Sequence, residues 1–149
     1  MVQCRYYSNM KSVNLALIPV SSAFADLPRP LFLPFPSSIR QISLLSTAAV
    51  VLNDSGTVWK CQCEQQWSPL QVSLPFSVRQ LACNEEVCLV VTDFGKVFAW
   101  GKDSNESGVM GTAGLFASEA PMLVEDLGTA EMVQVAVGVS HAAALDSKI

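Results

Sequence analysis

The sequence predicts an all-β chain assembled from repeated antiparallel units, in the manner of part of a β-propeller. Three observations predict it. The chain repeats itself at an offset of 39 residues: Pro30 falls on Pro69, Pro36 on Pro75, Arg40 and Gln41 on Arg79 and Gln80, Asp54 on Asp93, and Gly56 on Gly95. Each copy reads as short apolar or alternating runs separated by glycine turns. No segment sustains a 3.6-residue apolar period, so little helix is expected.

Taken in order, residues 1–29 form an N-terminal extension with two readings. Arg5 and Lys11 precede any acid, "VNLALIPV" is apolar, and "AFA" has a small-x-small form, as in a targeting segment. The same residues also read as a first strand followed by a Pro-rich connector. The partial propeller then runs over 30–149, in units 30–68, 69–120 and an incomplete 121–149. In the first unit "IRQIS" and "AAVVL" are strands, "NDSG" is a turn and "TVWKC" leaves it. In the second, "VRQLA", "CLVVT", "TDFG" and "KVFAW" take the same places. Gly56 and Gly95 are expected at positive φ, where a Cβ would clash. The third unit begins with Pro121, and "MVQVAVG" matches "VRQLACN". About two and a half units are too few to close a propeller, so closure needs the rest of a propeller or self-association.

Composition narrows the function. Half of the 149 residues are hydrophobic and 15% are charged, so a packed core is expected rather than disorder. The net charge is −4 and the nine Lys and Arg residues are scattered, which argues against direct nucleic-acid binding. No apolar run reaches the ~18 residues of a membrane-spanning helix. Five cysteines at irregular spacing do not suggest a disulfide framework; with His141 as the only histidine they suggest no metal site either, and buried thiols are expected. The sequons at Asn53 and Asn105 are read as unmodified turn residues.

One stretch carries a family resemblance. "TDFGKVFAWG…GVMG…P…VQVAVGVSHAAAL" resembles the repeat of the regulator of chromosome condensation family: Gly, an apolar strand, Trp-Gly, a polar loop, Gly-x-x-Gly, Pro, then a strand ending Gly-x-x-His. Gly95, Trp100, Gly101, Gly108, Gly111, Pro121, Gly138 and His141 match it. The match weakens over 30–88, where Leu45 and Asn84 stand at the place of Gly138. The resemblance implies blades of four antiparallel strands and structural roles for these residues together with Gly56. Trp100 is expected to pack between blades, and His141 to hydrogen-bond backbone and lock a turn.

No catalytic constellation is present. The nucleophile-elbow, zinc-protease and phosphate-loop motifs are absent, and Ser140 and His141, as neighbours on a strand, would point to opposite faces. Glu85, Glu86, Glu125 and Asp126 read as solvated turn acids. The expectation is a non-catalytic protein-interaction or scaffold module without cofactor. Its candidate partner-binding loop spans 102–120 and carries Asp103, Glu106, Leu115, Phe116 and Glu119. The resemblance adds two alternatives: regulation of, or nucleotide exchange on, a small GTPase, and service as an accessory part of a larger signalling protein. The expected compartment is the cytoplasm, with the nucleus as alternative and an organellar or secretory route if residues 1–25 are a targeting segment.

Overall fold

The computed structural model describes the backbone of residues 2–7, 13–19, 31–35, 38–63 and 67–148, and the side chains of 38–62 and 69–148. Strands β1 (Val2–Tyr7), β2 (Val13–Pro19) and β3 (Leu31–Phe35) form an antiparallel sheet in that order. A four-stranded meander follows, made of β4 (Ile39–Leu44), β5 (Ala48–Asn53), β6 (Val58–Cys63) and β7 (Trp67–Gln71). The next has the same form, with β8 (Val78–Cys83), β9 (Val87–Thr92), β10 (Val97–Lys102) and β11 (Ala117–Leu123). A hairpin of β12 (Met132–Val137) and β13 (Ala142–Asp146) ends the described residues. A 3-10 turn, Glu125–Leu127, is the single helical element among them.

Burial explains the apolar runs. All six residues of β5 and all six of β9 are buried, because each strand lies inside its sheet and packs on both faces. Val50, Leu52 and Val58 of one four-stranded sheet pack against Leu81, Val90, Phe98 and Trp100 of the next. The other face of that second sheet, through Leu89, Val91, Val97 and Ala99, packs against Met132 and Val135 of β12. Pro34, Pro69 and Pro121 all lie on strands that end their sheets. A proline lacks the N–H that a further strand would need, so it both fits and blunts such an edge.

The sheets are joined by a recurring set of hydrogen bonds. Each first strand has a bulge at the same place, between Ile39 and Gln41, Val78 and Gln80, and Met132 and Gln134. Beyond the bulge the glutamine reaches the next sheet. Gln41 accepts from the Leu81 N–H and donates to the Leu81 carbonyl. Gln80 repeats this on Val135, at 2.8 and 3.0 Å. The turn glycines add a third bond, with the Gly56 carbonyl accepting from the Val78 N–H and the Gly95 carbonyl from the Met132 N–H. Both glycines take the expected positive φ, 78° and 70°. Gln80→Ala leaves two partly buried backbone groups of Val135 without their partner and is expected to lower the unfolding free energy by about 1–3 kcal/mol. Urea titration measures this, and a loss below about 0.5 kcal/mol would remove the clasp from the account of the joint.

The cysteines depart from expectation. Cys83 and Cys88 stand directly opposite each other in the β8–β9 hairpin, with Cα atoms 4.1 Å apart, and are joined as a disulfide rather than held as separate thiols. The Asn84 N–H to Val87 carbonyl bond closes the turn between them and sets that register. Cys61 is buried.

Candidate functional site

The loops 45–47, 84–86, 103–116 and 138–141 all leave the same ends of their strands and share one face. Hydrogen bonds tie them together. The Glu85 carboxylate accepts from the Ser46 N–H, that of Glu86 from the Ser104 N–H, and the Asn84 amide donates to the Gly138 carbonyl. The two glutamates are exposed turn residues, as expected, yet each also holds a neighbouring loop.

The longest of these loops is built around Asp103. Its N–H donates to the Phe116 carbonyl at 2.7 Å and closes the neck of the loop. Its carboxylate accepts from the Ser107 hydroxyl at 3.0 Å, the Gly108 N–H at 2.7 Å and the Val109 N–H at 3.2 Å. Val109 and Met110 then sink into the core, at 3% and 1% exposure. Burial acts to raise the Asp103 pKa, but the hydrogen bonds from Ser107, Gly108 and Val109 outweigh it and hold the carboxyl below its ordinary value. A depressed carboxyl pKa contributes stability that is complete above the unfolded value of about 3.9 and is lost as pH falls through the folded value. Asp103→Asn is therefore expected to flatten the acid limb of stability against pH below about 4. An unchanged acid limb in thermal melts between pH 2 and pH 5 would show that the network does not depend on the charge.

The expected partner-binding residues divide in two. Asp103 is 2% exposed, so it is a positioning residue beneath the loop and not a contact; a polar loop had suggested an exposed acid, but the chain folds back over it. Leu115 is 41% exposed, Glu106 and Glu119 are exposed, and Phe116 is half-buried at the neck. The structural set is distributed along the same region. Trp100 lies between two sheets, Gly101 has φ 125°, and Gly108 and Gly111 also have positive φ. Pro121 falls in the irregular stretch of β11 between Ser118 and Met122, opposite Trp100. The β12–β13 turn is closed by the Gly138 N–H donating to the His141 backbone carbonyl. A Cβ on residue 138 would come within 2.9 Å of the His141 imidazole, which suits a glycine there.

Ser140 and His141 sit in that turn rather than on a strand, and both are exposed. Among the described residues no three His, Cys, Asp or Glu side chains converge on a point that could hold a metal ion. No helix there is long and apolar enough to cross a membrane. Asn53 is 2% exposed and its side-chain oxygen accepts from the Ser55 hydroxyl and the Thr57 N–H, so this sequon is part of a turn. One surface feature went unread in the sequence. Phe76 and Phe94, 46% and 67% exposed, meet edge to face with ring centroids 5.1 Å apart on the opposite loop face. The signal was the phenylalanine inside the turn "TDFG", where a polar residue is usual.

Residues 95–145 match the Regulator of chromosome condensation (RCC1) repeat. The chain is 40% identical over 57 residues to the human E3 ubiquitin-protein ligase HERC2, a stretch that is 38% of this chain and 1% of that protein. Among solved structures it is similar to human WBSCR16, with a TM-score of 0.72 at 16% identity, covering 97% of this chain and 46% of that one. It is also similar to Prp20p of Saccharomyces cerevisiae, with a TM-score of 0.71 at 13% identity, covering 93% of this chain and 40% of that one. The chain thus spans less than half of either solved chain and a small fraction of the ligase. Residues 95–145 thus carry a regulator of chromosome condensation (RCC1) repeat, and the four-stranded antiparallel sheets have the fold of part of a β-propeller of that type.

Proposed function

We propose that the chain is a non-catalytic protein-interaction module, with residues 102–120 as its principal contact loop. The observation that supports this is an exposed apolar residue on a pinned support: Leu115 is exposed on a loop that also carries the exposed Glu106 and Glu119, and whose neck and underside are held by Asp103, Val109 and Met110. A rigid loop loses little entropy on binding, so a modest apolar contact with an acidic rim suffices for a protein partner of basic or mixed surface. The net charge of −4 suits such a partner better than nucleic acid.

The test compares affinity captures from the source cells by the wild type and by a Leu115→Ala, Glu106→Ala, Glu119→Ala variant. Partners held by the loop are expected to fall at least tenfold in the variant. An unchanged partner set, with the variant folded by circular dichroism, would sink this reading.

A second reading is regulation of a small GTPase. It is supported by the likeness to Prp20p, whose structure was reported with its binding properties to Gsp1p and histones. It predicts that the chain accelerates release of a fluorescent guanine nucleotide from at least one member of a small-GTPase panel. No acceleration across the panel excludes exchange activity for these 149 residues.

A further inference from the structure

The turn between β8 and β9 is the hub of its loop face. Residues 84–86 join the two strands, and each of them holds a different neighbour. The Asn84 amide donates to the Gly138 carbonyl at 2.7 Å. The Glu85 carboxylate accepts from the Ser46 N–H at 2.7 Å, and that of Glu86 from the Ser104 N–H at 2.9 Å. The Glu86 carbonyl also accepts from the Lys102 N–H. The preceding sheet, the long loop and the last hairpin all lean on these consecutive residues.

The Cys83–Cys88 disulfide lies at the base of that turn. Its Cα separation of 4.1 Å belongs to the non-hydrogen-bonded kind of antiparallel pair, where facing side chains come nearest. The backbone holds this register without the bond. The Asn84 N–H donates to the Val87 carbonyl, and the Asn84 side-chain oxygen accepts from the Glu86 and Val87 N–H groups. A reduced pair therefore stays face to face, and re-forming the bond needs no costly loop closure. The pair is not walled in either. Cys83 is half-buried, and Cys88 lines a recess of about 100 Å³ together with Asn84, Glu85 and Trp100.

We propose that Cys83 and Cys88 form a reversible redox site for small thiols and disulfides, whose bond latches the loops of this face. In the reducing direction a dithiol's thiolate attacks the Cys83 sulfur, the S–S bond breaks and Cys88 leaves as a thiolate. The second thiol attacks the mixed disulfide and frees Cys83. The dithiol departs as a cyclic disulfide, having given up two electrons, and its two protons end on the two cysteines. The return step consumes a small disulfide. One cysteine thiolate attacks it, the other displaces the resulting mixed disulfide, and two small thiols leave. With the bond gone, only the hydrogen bonds centred on Asn84 keep the turn closed. It then opens more often and releases Ser46, Lys102 and Ser104 together. Where 102–120 serves as the contact loop, the bond sets its rigidity; that consequence rests on the function proposed above, whereas the test reads loop opening alone.

The experiment is amide hydrogen exchange by nuclear magnetic resonance on the 149-residue chain. The chain is treated with oxidised glutathione, then with dithiothreitol, and alkylation with peptide mass mapping assigns the state of Cys83 and Cys88. The bond is expected to form and to be cleaved while circular dichroism shows the fold intact. The Ser46, Lys102 and Ser104 amides are expected to exchange at least fivefold faster in the reduced protein. Gly56 and Gly95, whose N–H groups close turns of the opposite loop face, are expected to stay within twofold. A Cys83→Ser, Cys88→Ser variant is expected to match the reduced protein. The proposal is overturned if the pair stays as thiols in the oxidant, or if the bond resists the dithiol in the folded chain. Unchanged exchange at Ser46, Lys102 and Ser104 overturns it too, as does an equal rise at Gly56 and Gly95. So does a folded serine variant that exchanges like the oxidised protein. If that variant does not fold, the two states of the wild type decide the matter.

Discussion

Gly101→Ala is expected to destabilise the chain by about 3 kcal/mol or more, measured by urea unfolding. Two effects add at this position. Its φ of 125° belongs to a region that residues with a Cβ rarely enter, and forcing one there costs on the order of 1–3 kcal/mol. The added methyl would also run into the Glu86 carbonyl and the Val87 Cα, which are backbone and cannot swing away. Gly108→Ala separates the effects. Gly108 has φ 78° with open space around the missing Cβ, so only the left-handed penalty of about 1–2 kcal/mol applies. Equal losses for the two variants would mean that the hairpin at Glu86 can retreat, and that close approach does not set the need for glycine after the tryptophan.

Trp100→Ala is expected to cost about 3–5 kcal/mol and to lower the melting temperature by on the order of 10 °C. Trp100 is 5% exposed and packs in the cluster that β5 and β6 share with β8, β9 and β10. Its removal leaves a cavity between two sheets whose strands are hydrogen-bonded within each sheet and cannot collapse independently. Leu70→Ala serves as the control: at 63% exposure on the edge strand β7, it is expected to change stability by no more than about 0.5 kcal/mol. A loss below about 1 kcal/mol for Trp100→Ala would show that the sheets hold together by other contacts.

The repeat was legible because its markers are local. Asp54 and Gly56, Asp93 and Gly95, and the Arg-Gln pairs recur in one dimension and report turns and bulges that recur in three. The buried runs at β5 and β9 were legible for the same reason. What could not be read was pairing at a distance. Gln41 and Gln80 looked like repeated polar residues in a strand, yet their partners lie 40 and 55 positions away on the next sheet. Cys83 and Cys88 looked irregularly spaced until the hairpin register set them opposite each other. Asp103 looked like a solvated acid, because nothing in a run of loop residues says that Val109 and Met110 will pull the loop down over it. In each case the missing information was which backbone segment passes nearby.

The glutamine clasp has a consequence for how such chains can be put together. Gln41 and Gln80 address the N–H and carbonyl of the facing residue, not its side chain. The joint therefore works alike whether that residue is leucine, as at Leu81, or valine, as at Val135. Each sheet is a part with a standard fitting: what it presents to its neighbour is backbone, which every residue except proline carries complete. Parts of this kind can be exchanged, duplicated or lengthened at their loops without renegotiating the joint, so a chain built from them is free to diversify its outward surface while its assembly rule stays the same.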